Sequence, residues 1–281
     1  MIPTRGWPAP AKINLFLHVV GRRSDGYHLL QTLFQFVDRA DLIDFEVRDD
    51  GRVRRLGELP GVAPEADLVV RAARLLQAET GTSRGADIRL DKRLPMGGGL
   101  GGGSSDAATV LVALNALWQL GLPPTRLAEL GLALGADVPV FVHGRAAWAE
   151  GVGEILTPFD ADETALVVIT PDSAVATAEV FKDPDLTRDT APITMPAFSL
   201  ARTSNDCLAV TLRRYPAVGA AMDWLARYGE VRMSGTGASV FAFFADLDEA
   251  AAVACQVPPR WQAFAAMRRN RSPLLDFLGG C

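Results

Sequence analysis

PMGGGLGGGSSD fills residues 95–106, between a stretch that alternates apolar and polar side chains, ADIRLDKRL (86–94), and one with apolar residues at helical spacing, SSDAATVLVALNALW (104–118). Six of the seven residues from 97 to 103 are glycine. Glycine lets main-chain N–H groups approach a ligand closely, and the first amides of a helix are unsatisfied and partly positive. Strand, glycine loop and helix in this order make a cradle for phosphate; a flexible linker is the plainer alternative, and serine or glutamine padding would favour it. Gly97, Gly99 and Gly102 satisfy GxGxxG only weakly, because no acidic residue follows about twenty positions on. No Lys-Ser or Lys-Thr follows either, which excludes a Walker loop. In the helix, Ser104 and Ser105 are candidate caps, Asp106 makes the first turn acidic, and Val110, Leu111, Leu114, Leu117 and Trp118 form the apolar stripe.

Upstream, AKINLFLHVV (11–20) alternates so that Ile13, Leu15, Leu17 and Val19 share one strand face and Lys12, Asn14, Phe16 and His18 the other. A turn at Asp25-Gly26, strands over 29–38 and 41–51, and a helix over 67–77 stopping before Gly81 follow. Downstream, a helix over 124–135 leads to GADVPVFVHG, where a short apolar strand is expected after Pro139. GVGE (151–154) reads as a turn, ALVVIT (165–170) as a buried strand, and 182–197 as a loop. The remainder alternates helices (204–216, 217–229, 246–257) with strands (231–235, 239–245).

At about 150 residues per domain, 281 residues predict two, with a break near 150–155. A net charge of −5 argues against nucleic acid as partner. Cys207, Cys255 and Cys281 are widely spaced without a CxxC pair, which argues against a disulfide framework or thiolate metal site. MIPTRGWPAP has no apolar run behind its arginine, and no stretch of about 18 apolar residues occurs, so a cytoplasmic protein is expected.

Seven segments, PAKINLFLHVVGRRSDGYHLLQT (10–32), DKRLPMGGGLGGGSSDAATVLVALN (91–115), GADVPVFVHG (135–144), EGVGEILTP (150–158), VFKDPDL (180–186), SNDC (204–207) and SGTGASVF (234–241), together resemble the GHMP kinases in content and order. The resemblance implies an α+β, two-domain GHMP kinase fold: a ribosomal-protein-like, ATP-binding amino-terminal domain over 1–152 and an α+β carboxy-terminal domain over 153–281. It also implies ATP-dependent phosphorylation of the 2-hydroxyl of a small-molecule substrate, a cytidine diphosphate-linked methylerythritol. By position, Lys92 would lie by the adenosine, and Pro95, Met96, Gly97, Gly98, Gly99, Leu100, Gly101, Gly102, Gly103, Ser104 and Ser105 would hold the ATP. Lys12 and Asp137 would flank the accepting hydroxyl as charge partner and proton acceptor. Tyr27, His28 and Phe181 would form the cytosine pocket, with Asn14, Val152 and Thr177 nearby and SGTG beside the catalytic centre. Mg²⁺ is implied with ATP, without readable ligands.

On the residues alone each has a plainer reading. Asp137 would be a turn residue, Lys12 a solvated strand position, and Tyr27 and Phe181 core aromatics. SGTG would be an ordinary loop between strands. One departure from the family pattern is Asp67, where asparagine is frequent: an ionised aspartate only accepts hydrogen bonds, which puts nucleoside contacts there in doubt. The competing functions are a GHMP kinase for homoserine or a mevalonate-like alcohol, a nucleotide-binding module without turnover, and an RNA-binding protein of related fold.

Overall fold

The alternation from residue 11 belongs to β1, Trp7–Arg22, a strand that pairs antiparallel with β2, His28–Arg48, in a computed structural model that describes residues 2–279. Cys281 lies outside the described residues. Two strands are expected where the single 21-residue β2 stands. The charged interruption at Asp38 and Arg39 is absorbed as a bulge: Pro10 opposes Ala40 while Ala11 opposes Val37, so the strand bends without ending.

Around β2 a ten-stranded sheet assembles. One end of β2 pairs with β4, Gly85–Asp91, which carries the parallel strand β3, Val53–Leu56. The other end takes a hairpin of β5, Ala147–Glu150, and β6, Ile155–Pro158, turning at residues 151–154 as expected. The hairpin straddles 152/153, with one strand on either side. Strand β10, Gln262–Arg269, is not anticipated from the sequence; it pairs Arg268 with Val37 and Arg269 with Phe36, and its remaining length with β7, Ala165–Thr170. Beyond β7 come β9, Val240–Phe244, and β8, Val231–Met233.

Helices cover the sheet as α1, Leu68–Thr80, α2, Gly102–Leu117, α3, Pro124–Leu132, and α4, Val138–His143, over the first half. Over the second lie α5, Thr177–Lys182, α6, Leu208–Arg214, α7, Pro216–Leu225, and α8, Leu247–Ala254. The last helix, α9, Pro273–Gly279, returns to the first half, where Leu274 joins its core. Helix α4 replaces the expected strand. Its run of five apolar residues, Val138–Val142, is equally compatible with a buried strand by periodicity; Pro139 in the first turn and left-handed Gly144 after the last make the helix.

Three apolar clusters result, one under α1–α4, one under α5–α8, and a third between them built on Ile13, Leu15, Phe16, Leu100, Val168 and Phe241. Strand β1 runs through all three, from Trp7 to Val19. Both its faces are therefore buried, including Lys12, Asn14 and His18, so its polar face looks into the protein. Cys207 is a buried free thiol and Cys255 an exposed one.

Candidate active site

Helix α2 starts at Gly102 on a left-handed Gly101 (φ +71°), and no side chain caps it. This corrects the expected serine caps and acidic first turn: Ser104 faces a cavity, Ser105 is wholly buried, and Asp106 sits a turn further in. Ser105 is the first residue whose N–H finds an intrahelical acceptor, Gly101 O at 2.8 Å. The amides of Gly102, Gly103 and Ser104 have no acceptor among the described residues, so the helix start presents free donors. They open on a cavity of about 390 Å³ lined by Lys92 and every residue from 95 to 104. The loop is held tightly behind: a Cβ on Gly101 would lie 2.8 Å from Phe141, and one on Gly99 2.3 Å from the Ser234 carbonyl.

Lys92 lies at the floor of this cavity, with Nζ 2.5 Å from Asp41 and 2.9 Å from Asp106. The sequence alone marks Asp106 only as an acidic residue at the helix start and does not mark Asp41. Asp41 also accepts the N–H groups of Arg93 and Leu94, whereas Asp106 Oδ1 is buried without a partner. Burial, with Asp41 beside it, pushes the Asp106 carboxyl up to about 8 against the pull of Lys92. Burial opposes the Lys92 charge, yet the two carboxylates hold its ammonium above the ordinary lysine value. Asp67, at the cavity wall, is the N-cap of α1: it accepts from Val69 N–H at 2.9 Å and pairs with buried Arg55. Its acceptor-only chemistry is thus used within the protein.

A second cavity, about 350 Å³, shares Gly99, Gly101 and Ser104 with the first. Lys12 and Asp137 meet in it, Nζ to Oδ2 at 3.2 Å. The ammonium donates to Asn14 Oδ1 at 2.6 Å and lies 5.0 Å from the centre of the Phe34 ring. Asn14 is itself fixed, donating to Thr32 Oγ1 at 2.9 Å. The SGTG loop closes this cavity from the second half. Ser234 Oγ accepts from Asn14 N–H and donates to Gly99 O, while Thr236 and Thr177 hydroxyls are 3.0 Å apart. Asn205 of the SNDC segment secures the loop through the carbonyls of Met233 and Gly235.

Val152, Thr177 and Phe181 also line a third cavity, about 590 Å³, together with Tyr27 and His28. The imidazole of His28 stacks on Phe181 with centroids 5.1 Å apart, and Tyr27 is 64% exposed at the rim. Behind the stack stands Arg188, from the stretch read as a loop, donating from Nε to His28 Nε2 at 3.1 Å. Burial, then the charges of Arg188 and Arg22, lower the His28 pKa, so the ring is neutral near pH 7. Apart from Ser105, the residues selected from the sequence thus line three adjoining cavities, with Lys12 and Asp137 in the middle one.

Residues 67–145 match the model of the GHMP kinases N terminal domain and residues 195–262 that of the GHMP kinases C terminal domain. A protein of Halorhodospira halophila named 4-diphosphocytidyl-2-C-methyl-D-erythritol kinase is 58% identical over 95% of this chain and 94% of its own. The chain belongs to the GHMP kinase family. A Thiobacillus denitrificans protein of the same name is 56% identical to this GHMP kinase over 98% of the chain and 99% of its own. A crystal structure of a 4-(cytidine 5'-diphospho)-2C-methyl-D-erythritol kinase superposes with a TM-score of 0.81 at 35% identity, covering 93% of this chain and 98% of that one. Homoserine kinase from Cytophaga hutchinsonii, at 15% identity and a TM-score of 0.66 over 97% of this chain and 96% of that one, shares the fold.

Proposed function

We propose that this GHMP kinase transfers the γ-phosphoryl group of ATP to the 2-hydroxyl of 4-diphosphocytidyl-2-C-methyl-D-erythritol, a precursor in non-mevalonate isoprenoid synthesis. The observation that carries the proposal is the line of three cavities: an anion cradle, a lysine–aspartate pair, and an aromatic pocket beyond it. In this reading the free amides of Gly102, Gly103 and Ser104 bind the ATP phosphates, and Lys92 lies at the nucleoside end. Asp137 accepts the proton of the attacking hydroxyl as oxygen bonds to phosphorus and the bridge to the β-phosphate breaks. The Lys12 ammonium, held between Asn14 and the Phe34 ring, offsets charge on the transferring group. Tyr27, His28 and Phe181 hold the cytosine. Asn14, Val152 and Thr177 border the path of the diphosphate-linked alcohol.

Mg²⁺ belongs to the proposal as the companion of ATP. Among the described residues no group of three acidic, histidine or cysteine side chains offers it a site; Asp41 and Asp106 face Lys92, and Asp137 faces Lys12. No step here is therefore routed through protein-held metal. The cytoplasm is its proposed compartment; among the described residues no helix is long and apolar enough to cross a membrane.

Homoserine or mevalonate would leave the third cavity empty, which favours the nucleotide-linked alcohol over them. The Lys12–Asp137 pair favours catalysis over a binding module. A coupled assay of ADP release with ATP and each of the three alcohols tests this: turnover is expected with the cytidine nucleotide alone. Turnover with homoserine or mevalonate, or with none, refutes it.

A further inference from the structure

Arginine has only N–H donors, so the contact of 3.1 Å between Arg188 Nε and His28 Nε2 requires a lone pair on the imidazole nitrogen. The ring is neutral, and its single proton must then be on Nδ1. Nδ1 has no partner among the described residues, and His28 lines the third cavity. Arg188 is itself fully engaged: it donates to the carbonyls of Phe181 at 3.0 Å and Asp183 at 2.7 Å, at the end of α5, and to Leu186 O at 2.9 Å. It cannot turn away without abandoning these. The imidazole covers only part of the Phe181 face, at an interplanar angle of 28°. A flat base laid on the rest of that face meets the imidazole edge to edge.

We infer that Arg188 is a positioning residue for base choice: by holding His28 in the Nδ1–H tautomer it makes the pocket accept cytosine and refuse uracil. The inference rests on the cytidine reading above. Cytosine offers an unprotonated ring nitrogen, N3, to the Nδ1–H donor. Uracil carries a hydrogen on N3, so two donors would face each other. A free histidine would escape by moving its proton to Nε2, turning Nδ1 into an acceptor. Here that proton would point at the Arg188 N–H, and the escape is closed. Leaving a buried donor unpaired is what gives such a site its power of rejection.

The test needs wild type, Arg188→Gln and Arg188→Lys. Glutamine can present either its oxygen or its amide to Nε2 and so frees the tautomer; lysine is again a pure donor and preserves it. Nitrogen-15 NMR of His28 should place the proton on Nδ1 in wild type and Arg188→Lys, and show both tautomers in Arg188→Gln. The ratio of kcat/KM for the cytidine nucleotide over its uridine analogue should fall at least about tenfold in Arg188→Gln and hold in Arg188→Lys. A wild-type proton on Nε2 overturns the inference without a variant, as does an unchanged ratio in Arg188→Gln. Should wild type turn over both nucleotides equally, the cytidine reading fails first and the lock has nothing to select.

Discussion

Asp137 is partly exposed while its partner Lys12 is buried, an asymmetry that suits a proton acceptor reached by substrate and a charge that water cannot screen. Asp137→Asn should fold as wild type, since its carboxylate caps no amide in α4, and lose about 10²–10⁴ in kcat. A variant retaining more than about a tenth of the activity would remove it from the chemistry, because less than ~1.4 kcal/mol would then be at stake. Asp106 makes a different, thermodynamic prediction. Its folded-state pKa of about 8 lies above the ordinary 3.8, so the native protein keeps a proton the unfolded chain has given up. The stability this contributes is complete below 3.8 and is lost as pH rises through about 8. Asp106→Asn, a permanent mimic of the neutral acid, should flatten the decline of Tm between about pH 4 and 8. Parallel profiles for the two proteins would refute the assignment.

The glycine loop is where substitutions separate binding from stability. Gly103 lies inside α2 at the cavity wall, and a Cβ there meets only the side chain of Leu68, at 3.5 Å. Gly103→Ala should therefore leave the melting temperature unchanged or raise it, by up to about 1 kcal/mol of helix preference, while weakening ATP binding measured by calorimetry. Unchanged affinity would show that phosphate does not lie against the helix start. Gly101→Val cannot make that distinction: its positive φ and the clash with Phe141 and Lys12 would unsettle the fold as well. This loop was legible because glycine composition and helical spacing are local properties. So were α1 with its Asp67 and Gly81 ends, and β7. What escaped depends on partners distant in sequence. β10 has value only because Val37 and Val168 stand beside it, and Asp41 resembles any strand-end aspartate until Lys92 reaches it. Arg188 sits in a stretch without periodicity, and only the fold brings it to His28, 160 positions away. Lys12, Asn14 and Asp137 needed the family resemblance; alternation alone puts two of them on a strand face without saying that the face turns inward.

At the scale of the molecule, the shared sheet and the middle apolar cluster leave neither half able to bury its own surface. Calorimetry should therefore show one cooperative transition, with equal calorimetric and van't Hoff enthalpies. Leu274→Ala, in the last helix yet within the first half's core, should lower that whole transition by about 2–5 kcal/mol. Two separable transitions would mean the halves fold alone. The Ser234 hydroxyl, which reaches from the second half to both the Gly99 carbonyl and the Asn14 amide of the first, bears on ligation order. On the proposed function one atom serves the nucleotide's loop and the alcohol's strand, so a ligand that settles either contact settles both. The two substrates should bind synergistically, in either sequence. Reciprocity then requires the factor by which a non-hydrolysable ATP analogue tightens the alcohol to equal the factor by which the alcohol tightens the analogue. In Ser234→Ala that common factor should fall towards one; a factor of one already in wild type would mean that the hydroxyl merely fastens the loops.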